Sequence, residues 1–139
     1  MNAVFGDTSY YVAILTPSDS HHAAAWEIGR NRLRMVVTEF VLLELADFMA
    51  GAIGRRRMPE FIASLRADPD TKIIPLSTAL LDAGLDLYNR RPDKIWSLTD
   101  CISFVVMKQE GLTEALTADR HFHQAGFKAL LRHAPPARE

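Results

Sequence analysis

The sequence has one cysteine, no long hydrophobic run and almost no net charge, and each lack excludes a class of protein. Cys101 alone cannot form an internal disulfide or a cysteine-based zinc site, and a single cysteine suits a reducing cytoplasm. The longest uncharged apolar run, residues 101–107, is far shorter than the roughly 20 residues that cross a bilayer. Residues 1–5 lack the basic cluster of a secretory signal. We therefore expect a soluble, cytoplasmic protein with no membrane partner.

The charge balance also argues against a protein that binds nucleic acid non-specifically through its overall charge. Lys and Arg number 16 against 17 Asp and Glu, which gives a formal net charge of −1. Such a chain has no global basic field, so any contact with nucleic acid must be local or use bound cations. With 139 residues and 48% hydrophobic content, the chain fits one domain with its own core. We expect that domain over residues 1–133 and a loose tail over 134–139, where Pro135 and Pro136 lie.

Short apolar runs alternate with segments of helical periodicity along the whole chain. Strands are predicted at 3–5, 34–37, 71–75 and 114–117, with a last edge strand at 127–131. Helices are predicted at 10–15, 21–32, 38–50, 55–65, 77–88 and 99–109, with a short segment at 120–124. Ser77 is the expected cap of one helix, and Gly51 and Gly111 are expected to end two others. This alternation predicts a three-layer α/β/α sandwich with a mostly parallel sheet of four to five short strands.

Four acids are expected to meet at one edge of this sheet. Asp7 follows the first strand, Asp119 follows the fourth, and Asp100 begins the helix that leads into the fourth. Glu44 lies about two turns into the helix after the second strand. Ligands of an open parallel sheet bind outside the carboxyl ends of the strands, so the four carboxylates fall where a ligand is expected.

Each acid also has an ordinary structural explanation. Ser97 and Asp100 fit the S/T-x-x-D/E capping pattern, in which the acid supports a helix N-terminus. Asp7 could likewise cap the helix after it, and Asp119 could simply begin the turn at Arg120. A ligand role and a capping role do not exclude each other.

Clustered carboxylates raise one another's pKa unless a cation neutralises them. Oxygen ligands favour hard ions, so Mg²⁺ or Mn²⁺, as one or two ions, is expected rather than zinc. Such ions support in-line phosphoryl transfer, because they activate water and stabilise the leaving oxygen of a phosphodiester. The acids therefore predict a metal-dependent hydrolase of phosphate esters.

Four stretches, spread over nearly the full length, resemble a PIN domain, and in particular the VapC-type ribonuclease toxins of prokaryotic toxin–antitoxin pairs. They read VFGDTSYYVAIL, TEFVLLELADF, SLTDCISFVVMKQEG and ALTADRHFHQAGF. The resemblance implies a PIN-like fold and an Mg²⁺- or Mn²⁺-dependent endoribonuclease that hydrolyses RNA. It assigns the catalytic and metal-binding roles to Asp7, Glu44, Asp100 and Asp119, and supporting polar roles to Thr8, Ser9, Thr99 and Thr117. It also implies inhibition by a small antitoxin and a homodimer that packs helices of the second and third βα units.

Other motifs have less specific interpretations. The pairs His21–His22 and His121/His123 lack the i, i+4 spacing of a helical zinc pair and are interpreted as surface residues, although His121 is near enough to Asp119 to touch substrate. The arginines at 55–57 begin a helix as solvated residues or contact phosphate. Trp96 is expected to pack under the loop before Ser97 rather than to stack on a base.

Two other functions remain open at this level. One is a PIN-like module that binds RNA or protein without cleaving it, although such a module has no need of all four acids. The other is a Mg²⁺-dependent hydrolase of small phosphoesters. Aspartyl-nucleophile phosphatases usually show Asp-x-Asp after the first strand, whereas this chain has Asp7-Thr8-Ser9.

Overall fold

The computed structural model describes residues 3–132 and contains a five-stranded parallel sheet flanked by helices. The strands are β1 (Val4–Gly6), β2 (Met35–Thr38), β3 (Thr71–Ile74), β4 (Glu114–Leu116) and β5 (Lys128–Ala129). Their order is β3-β2-β1-β4-β5, and every pairing is parallel. The predicted α/β/α architecture and the edge position of the last strand are confirmed. The predicted tail at 134–139 lies outside the described residues.

Seven helices connect the strands in the described range. They are α1 (Thr8–Leu15), α2 (His22–Gly29), α3 (Glu39–Phe48), α4 (Ala52–Ala67), α5 (Thr78–Arg90), α6 (Leu98–Gln109) and α7 (Arg120–Gln124). Within residues 3–132, no helix is both long and apolar enough to cross a membrane.

The central strand β1 determines where the chain's functional side chains can meet. It pairs with β2 through Phe5 and Val36, and with β4 through Gly6 and Leu116. Side chains on both faces of this strand system are fully buried, and they include Phe5, Leu45, Ile102, Leu116 and Phe122. Because β1, β2 and β4 run in the same direction, the residues that follow them emerge at one edge of the sheet.

Helix ends follow the sequence signals in two cases and depart from them in one. The Ser77 side chain accepts a hydrogen bond from Leu80 N at the start of α5, and Gly111 follows α6 with φ of 69°. Both predicted roles are therefore confirmed. Gly51 was expected to end the preceding helix, and that prediction is wrong: α3 ends at Phe48, and Gly51, with φ of −64°, is the N-cap of α4.

The arginine run lies in the first turns of α4, which begins three residues earlier than predicted. Arg57 donates a hydrogen bond from Nη1 to the backbone oxygen of Leu15 at 2.9 Å. This bond satisfies a carbonyl group in the last turn of α1 that has no partner within the helix. All three arginines are exposed, and the Arg57 guanidinium has this structural partner.

Trp96 is buried, as predicted, and its Nε1 donates to Gln124 Oε1 at 3.0 Å. The ring packs edge-on against Phe104. The loop before α6 is thereby tied to α7, the helix that follows Asp119.

Helices α5 and α6 approach closely at Gly84. A Cβ at this position would overlap Ile102 Cγ1 and lie 3.3 Å from the Ile102 Cα. A residue without a side chain is needed here because α6 lies directly against the backbone of α5.

Candidate active site

All four predicted carboxylates line one cavity of about 320 Å³ at the carboxyl ends of β1, β2 and β4. Asp7 follows β1, Asp119 follows β4 and Asp100 lies in the first turn of α6, while Glu44 reaches the cavity from α3. A larger cavity of about 470 Å³ lies among residues of α1 and α4, and none of the four carboxylates lines it. The smaller cavity is therefore the candidate site.

The Asp7 side chain does not cap α1, although the residue occupies the N-cap position. Its Oδ2 instead accepts hydrogen bonds from Thr117 Oγ1 at 2.7 Å and from Ser9 Oγ at 3.1 Å. Asp7 is only 5% exposed, and its pKa is raised to about 7, chiefly by burial and also by the Asp100 charge, while the Thr117 hydrogen bond acts in the opposite direction. The carboxylate form is thus costly here without a neighbouring positive charge.

Asp100 combines the two roles that its sequence context left open. Its Oδ2 accepts from the Ser97 N–H at 3.1 Å, and the Ser97 hydroxyl accepts from the Asp100 N–H at 3.0 Å, which completes a capping box. The same carboxylate faces the cavity. Burial raises the pKa of Asp100, a hydrogen bond from His121 lowers it, and the Asp119 charge raises it. The capping bond therefore orients a side chain that also belongs to the site.

His121 was expected at the surface, and that expectation is wrong. Its side chain is 16% exposed, and its Nδ1 lies 2.9 Å from Asp100 Oδ2 and 3.3 Å from Asp119 Oδ1. Asp119 is the N-cap of α7 and accepts the backbone N–H of His121 at 2.8 Å. The sequence feature that could have indicated this contact is the position of His121, two residues after Asp119, the N-cap of a short helix. The pairing of His121 with His123 was not informative.

The small polar residues hold the carboxylates in place and tie them to neighbouring segments of the chain. Thr8 donates to Glu44 Oε1 at 2.5 Å, which bridges α1 and α3. Thr117 Oγ1 accepts the N–H of Asp119 at 2.9 Å while it donates to Asp7. Ser9 accepts the N–H of Ala118 at 3.2 Å.

Thr99 does not join this network. It is half-buried beside Asp100, but within residues 3–132 no side-chain hydrogen bond links it to a carboxylate. Five residues outside the predicted set also line the cavity, namely Asp19, His21, Phe48, Val12 and Ala118. The first two lie between α1 and α2, a connection that carried no recognisable motif.

The donor set fits a divalent cation. One ligand atom from each of Asp100, Asp119 and His121 lies within 4.8 Å of the others. Asp7 and Glu44 line the same cavity but are outside this tight group in the described chain. A cation here would neutralise buried carboxylates whose charge is otherwise unfavourable.

Comparison with known proteins places these observations in a family context. The sequence profile of the PIN domain matches residues 4–128. The 23S rRNA-specific endonuclease VapC20 of Mycobacterium tuberculosis, in two strains, is 26% identical over 125 residues, which cover 89% of this chain and 95% of the relative.

Solved structures share the fold. The crystal structure of M. tuberculosis VapC20, described as a sarcin–ricin loop cleaving toxin, has a TM-score of 0.81 and 23% identity and covers 90% of this chain and 96% of its own. The crystal structure of FitAcB from Neisseria gonorrhoeae has a TM-score of 0.66 and 16% identity and covers 94% and 99%. At these identities the two structures establish the architecture alone.

Proposed function

Because the chain belongs to the PIN-domain family, we propose that it is a metal-dependent endoribonuclease and the toxin of a type II toxin–antitoxin pair. The observation that carries this proposal is the convergence of four carboxylates on one cavity at the carboxyl edge of a parallel sheet. The likeness to the 23S rRNA-specific endonuclease VapC20 supports RNA as the substrate.

We assign the catalytic and metal-binding roles to Asp7, Glu44, Asp100 and Asp119, the four carboxylates of the cavity. They would hold one or two Mg²⁺ or Mn²⁺ ions, which would supply Lewis-acid activation of water and would neutralise the charge of the phosphodiester. Hydrolysis then breaks the P–O3′ bond and leaves a 3′-hydroxyl and a 5′-phosphate. An acidic cavity can accept an RNA backbone only when cations lie between the two.

The chain's own groups hold these carboxylates in position. Thr117 and Ser9 direct hydrogen bonds to Oδ2 of Asp7 and so fix the orientation of its carboxyl group. Thr8 orients Glu44 from the neighbouring helix. This preorganisation means that the site does not have to be ordered when substrate binds.

The test is cleavage of a pool of structured RNAs, which contains tRNA and ribosomal hairpins, by purified protein with Mn²⁺ or Mg²⁺. We expect cleavage that EDTA abolishes and that Asp7→Asn reduces by about 100-fold or more. Glu44→Gln should act in the same direction. Asp47→Asn is the matched control, because Asp47 is an exposed carboxylate on the same helix as Glu44.

The outcomes separate the three functions that the sequence left open. A protein that binds RNA and metal without cutting would be a non-catalytic PIN-like module. Hydrolysis of small phosphoesters without RNA cleavage would indicate a phosphohydrolase. Cleavage that persists in EDTA, or that is equal in wild type and Asp7→Asn, would contradict the proposed site.

We further propose that a small antitoxin inhibits the enzyme by placing a tail with a basic side chain against the acidic cavity. The four carboxylates provide the complementary charge. Co-expression with the protein encoded next to this chain, followed by purification of a complex that does not cleave RNA until the partner is removed, tests this proposal.

A homodimer is proposed through the helices of the second and third βα units. Large apolar side chains are exposed on α3 and α4, and three others share one face of α5: Leu81, Leu85 and Tyr88. Light scattering after size exclusion should give twice the mass of the 15.6 kDa chain. Leu85→Glu should then yield a monomer, whereas a monomeric wild type would contradict the proposal.

The remaining proposals concern extent and location. We propose a single nuclease domain over residues 1–133, of which the family profile covers 4–128. A ribosomal or transfer RNA substrate would place its action in the cytoplasm.

A further inference from the structure

One ring nitrogen lies between two of the proposed metal-binding carboxylates. His121 Nδ1 is 2.9 Å from Asp100 Oδ2 and 3.3 Å from Asp119 Oδ1. A single N–H donates well along one direction, so one hydrogen bond cannot account for both short distances equally. Three potential ligand atoms that lie this close together are also the arrangement expected around a cation.

The spacing of these atoms fits a metal centre. Neighbouring ligands of an octahedral ion with bonds of about 2.1 Å lie about 3 Å apart. The two measured separations are 2.9 and 3.3 Å, and all three ligand atoms lie within 4.8 Å of one another. The His121 nitrogen is thus as well placed as either carboxylate.

Hydrogen bonds from backbone N–H groups fix the two carboxylates before any ligand arrives. Asp100 accepts the Ser97 N–H in the capping box of α6. Asp119 accepts the His121 N–H in the first turn of α7. The side chains of His121 and Asp100 are 16% and 10% exposed, so neither is a freely moving surface group.

We propose that His121 Nδ1 is a direct ligand of the catalytic cation, and that this nitrogen makes the centre prefer Mn²⁺ to Mg²⁺. Mg²⁺ is bound almost wholly by oxygen, whereas imidazole nitrogen favours transition-metal ions. In this role Nδ1 has no proton and Nε2 has one. The inference rests on the proposed function, because it assumes a metal held by Asp100 and Asp119, and it replaces the all-oxygen ligand set with a mixed one.

The experiment is pulsed electron paramagnetic resonance on Mn²⁺ bound to the full chain, together with calorimetric titration of Mn²⁺ and Mg²⁺. Wild type should show nitrogen coupling of a coordinated imidazole, and His121→Ala should lose it. The loss of an indirect supporting group already lowers metal affinity about 10–100-fold, so loss of this ligand should weaken Mn²⁺ binding by about tenfold or more. Mg²⁺ binding should weaken less.

Three further variants make the result specific. His121→Gln retains a side-chain N–H that can donate to Asp100, so the hydrogen bond can still form. The imidazole is absent, so its nitrogen coupling should be lost. His123→Ala is the matched control, because His123 is an exposed residue of the same helix. His21→Ala tests the other imidazole that lines the cavity. Circular dichroism confirms that each variant is folded.

Three outcomes would overturn the inference. Mn²⁺ bound without nitrogen coupling would make His121 a hydrogen-bond partner only, and the proposed nuclease would stand. Coupling that is lost in His21→Ala but retained in His121→Ala would show that the coordinated nitrogen belongs to His21 and not to His121. If wild type bound no metal at all, the metal-dependent function itself would fail, and the inference with it.

Discussion

The hydroxyl of Thr117 lies 2.7 Å from Oδ2 of Asp7, although 110 positions separate the two residues in the chain. Thr117 Oγ1 also accepts the backbone N–H of Asp119 at 2.9 Å. One fully buried side chain therefore links the carboxylate after β1 to the backbone N–H of Asp119, the acid that follows β4. This link is possible because the two strands are neighbours in the sheet.

Thr117→Val should weaken the site while it preserves the side-chain shape. Valine cannot donate to Asp7, whose pKa then rises further, and it leaves the Asp119 N–H without this acceptor. We expect Mn²⁺ affinity to fall about tenfold, and Thr117→Ser, which keeps the hydroxyl, to restore most of it. Calorimetric titration measures both. Equal affinity in wild type and Thr117→Val would show that the bond has no role in metal binding.

Asp7→Asn should stabilise the protein in the absence of metal, and more so at higher pH. The folded pKa of Asp7 is raised from 3.8 to about 7, so its contribution to stability is present below the unfolded pKa and is lost as pH rises from about 4 to about 7. A pKa change of this size corresponds to about 4 kcal/mol at most. Urea unfolding in EDTA should therefore show a stability difference between variant and wild type that grows from pH 5 to pH 8.

The control for this titration is Asp47→Asn, which removes an exposed carboxylate from α3. Its effect on the free energy of unfolding should be small at every pH. Added Mn²⁺ should stabilise wild type but not Asp7→Asn. An Asp7→Asn variant that is less stable than wild type at pH 8 in EDTA would contradict the assigned cost of the buried charge.

The capping and functional roles of Asp100 can be separated. Asp100→Asn keeps an oxygen that can accept the Ser97 N–H but removes the charge, so stability should change little while RNA cleavage falls about 100-fold or more. Ser97→Ala removes a capping hydroxyl and should cost about 1 kcal/mol while it leaves most of the cleavage. Thermal unfolding and cleavage rates measure the two effects. The reverse pattern would make Asp100 a helix cap only.

Gly84→Ala should destabilise the fold by about 1–3 kcal/mol, because the added methyl group forces α5 away from Ile102 on α6. Asp82→Ala, an exposed substitution on the same helix, should change stability by less than about 0.5 kcal/mol. Chemical denaturation compares the two variants. Equal stability of Gly84→Ala and wild type would mean that the two helices can separate without cost.

The sequence predicted the architecture because strand and helix periodicity alternate cleanly, and because parallel strands bring their carboxyl ends to one edge. The rule that placed Asp7, Glu44, Asp100 and Asp119 near one another depends only on strand order. All four line the same cavity, and their catalytic roles stay predictions.

Contacts between distant segments could not be predicted in the same way. His121 meets Asp100 across 21 positions, and Arg57 meets Leu15 across 42, so neither pair forms a local pattern. Gly51 was misassigned because a glycine between two helices can end one or begin the next, and only the backbone angle distinguishes them. Local signals therefore predicted elements and their ends, whereas side-chain partners depended on how the elements pack.

The order of the strands has a practical consequence for dividing the chain into two fragments. The loop between β3 and α5, around Pro75 and Leu76, divides the chain so that Asp7 and Glu44 fall in one fragment and Asp100 and Asp119 in the other. The two fragments would associate through the parallel pairing of β1 with β4. Each half would lack two of the four carboxylates, so neither half should cleave RNA when it is produced alone. Cleavage should return only where the two halves associate. A split form of this chain can therefore report the association of two proteins, each fused to one half.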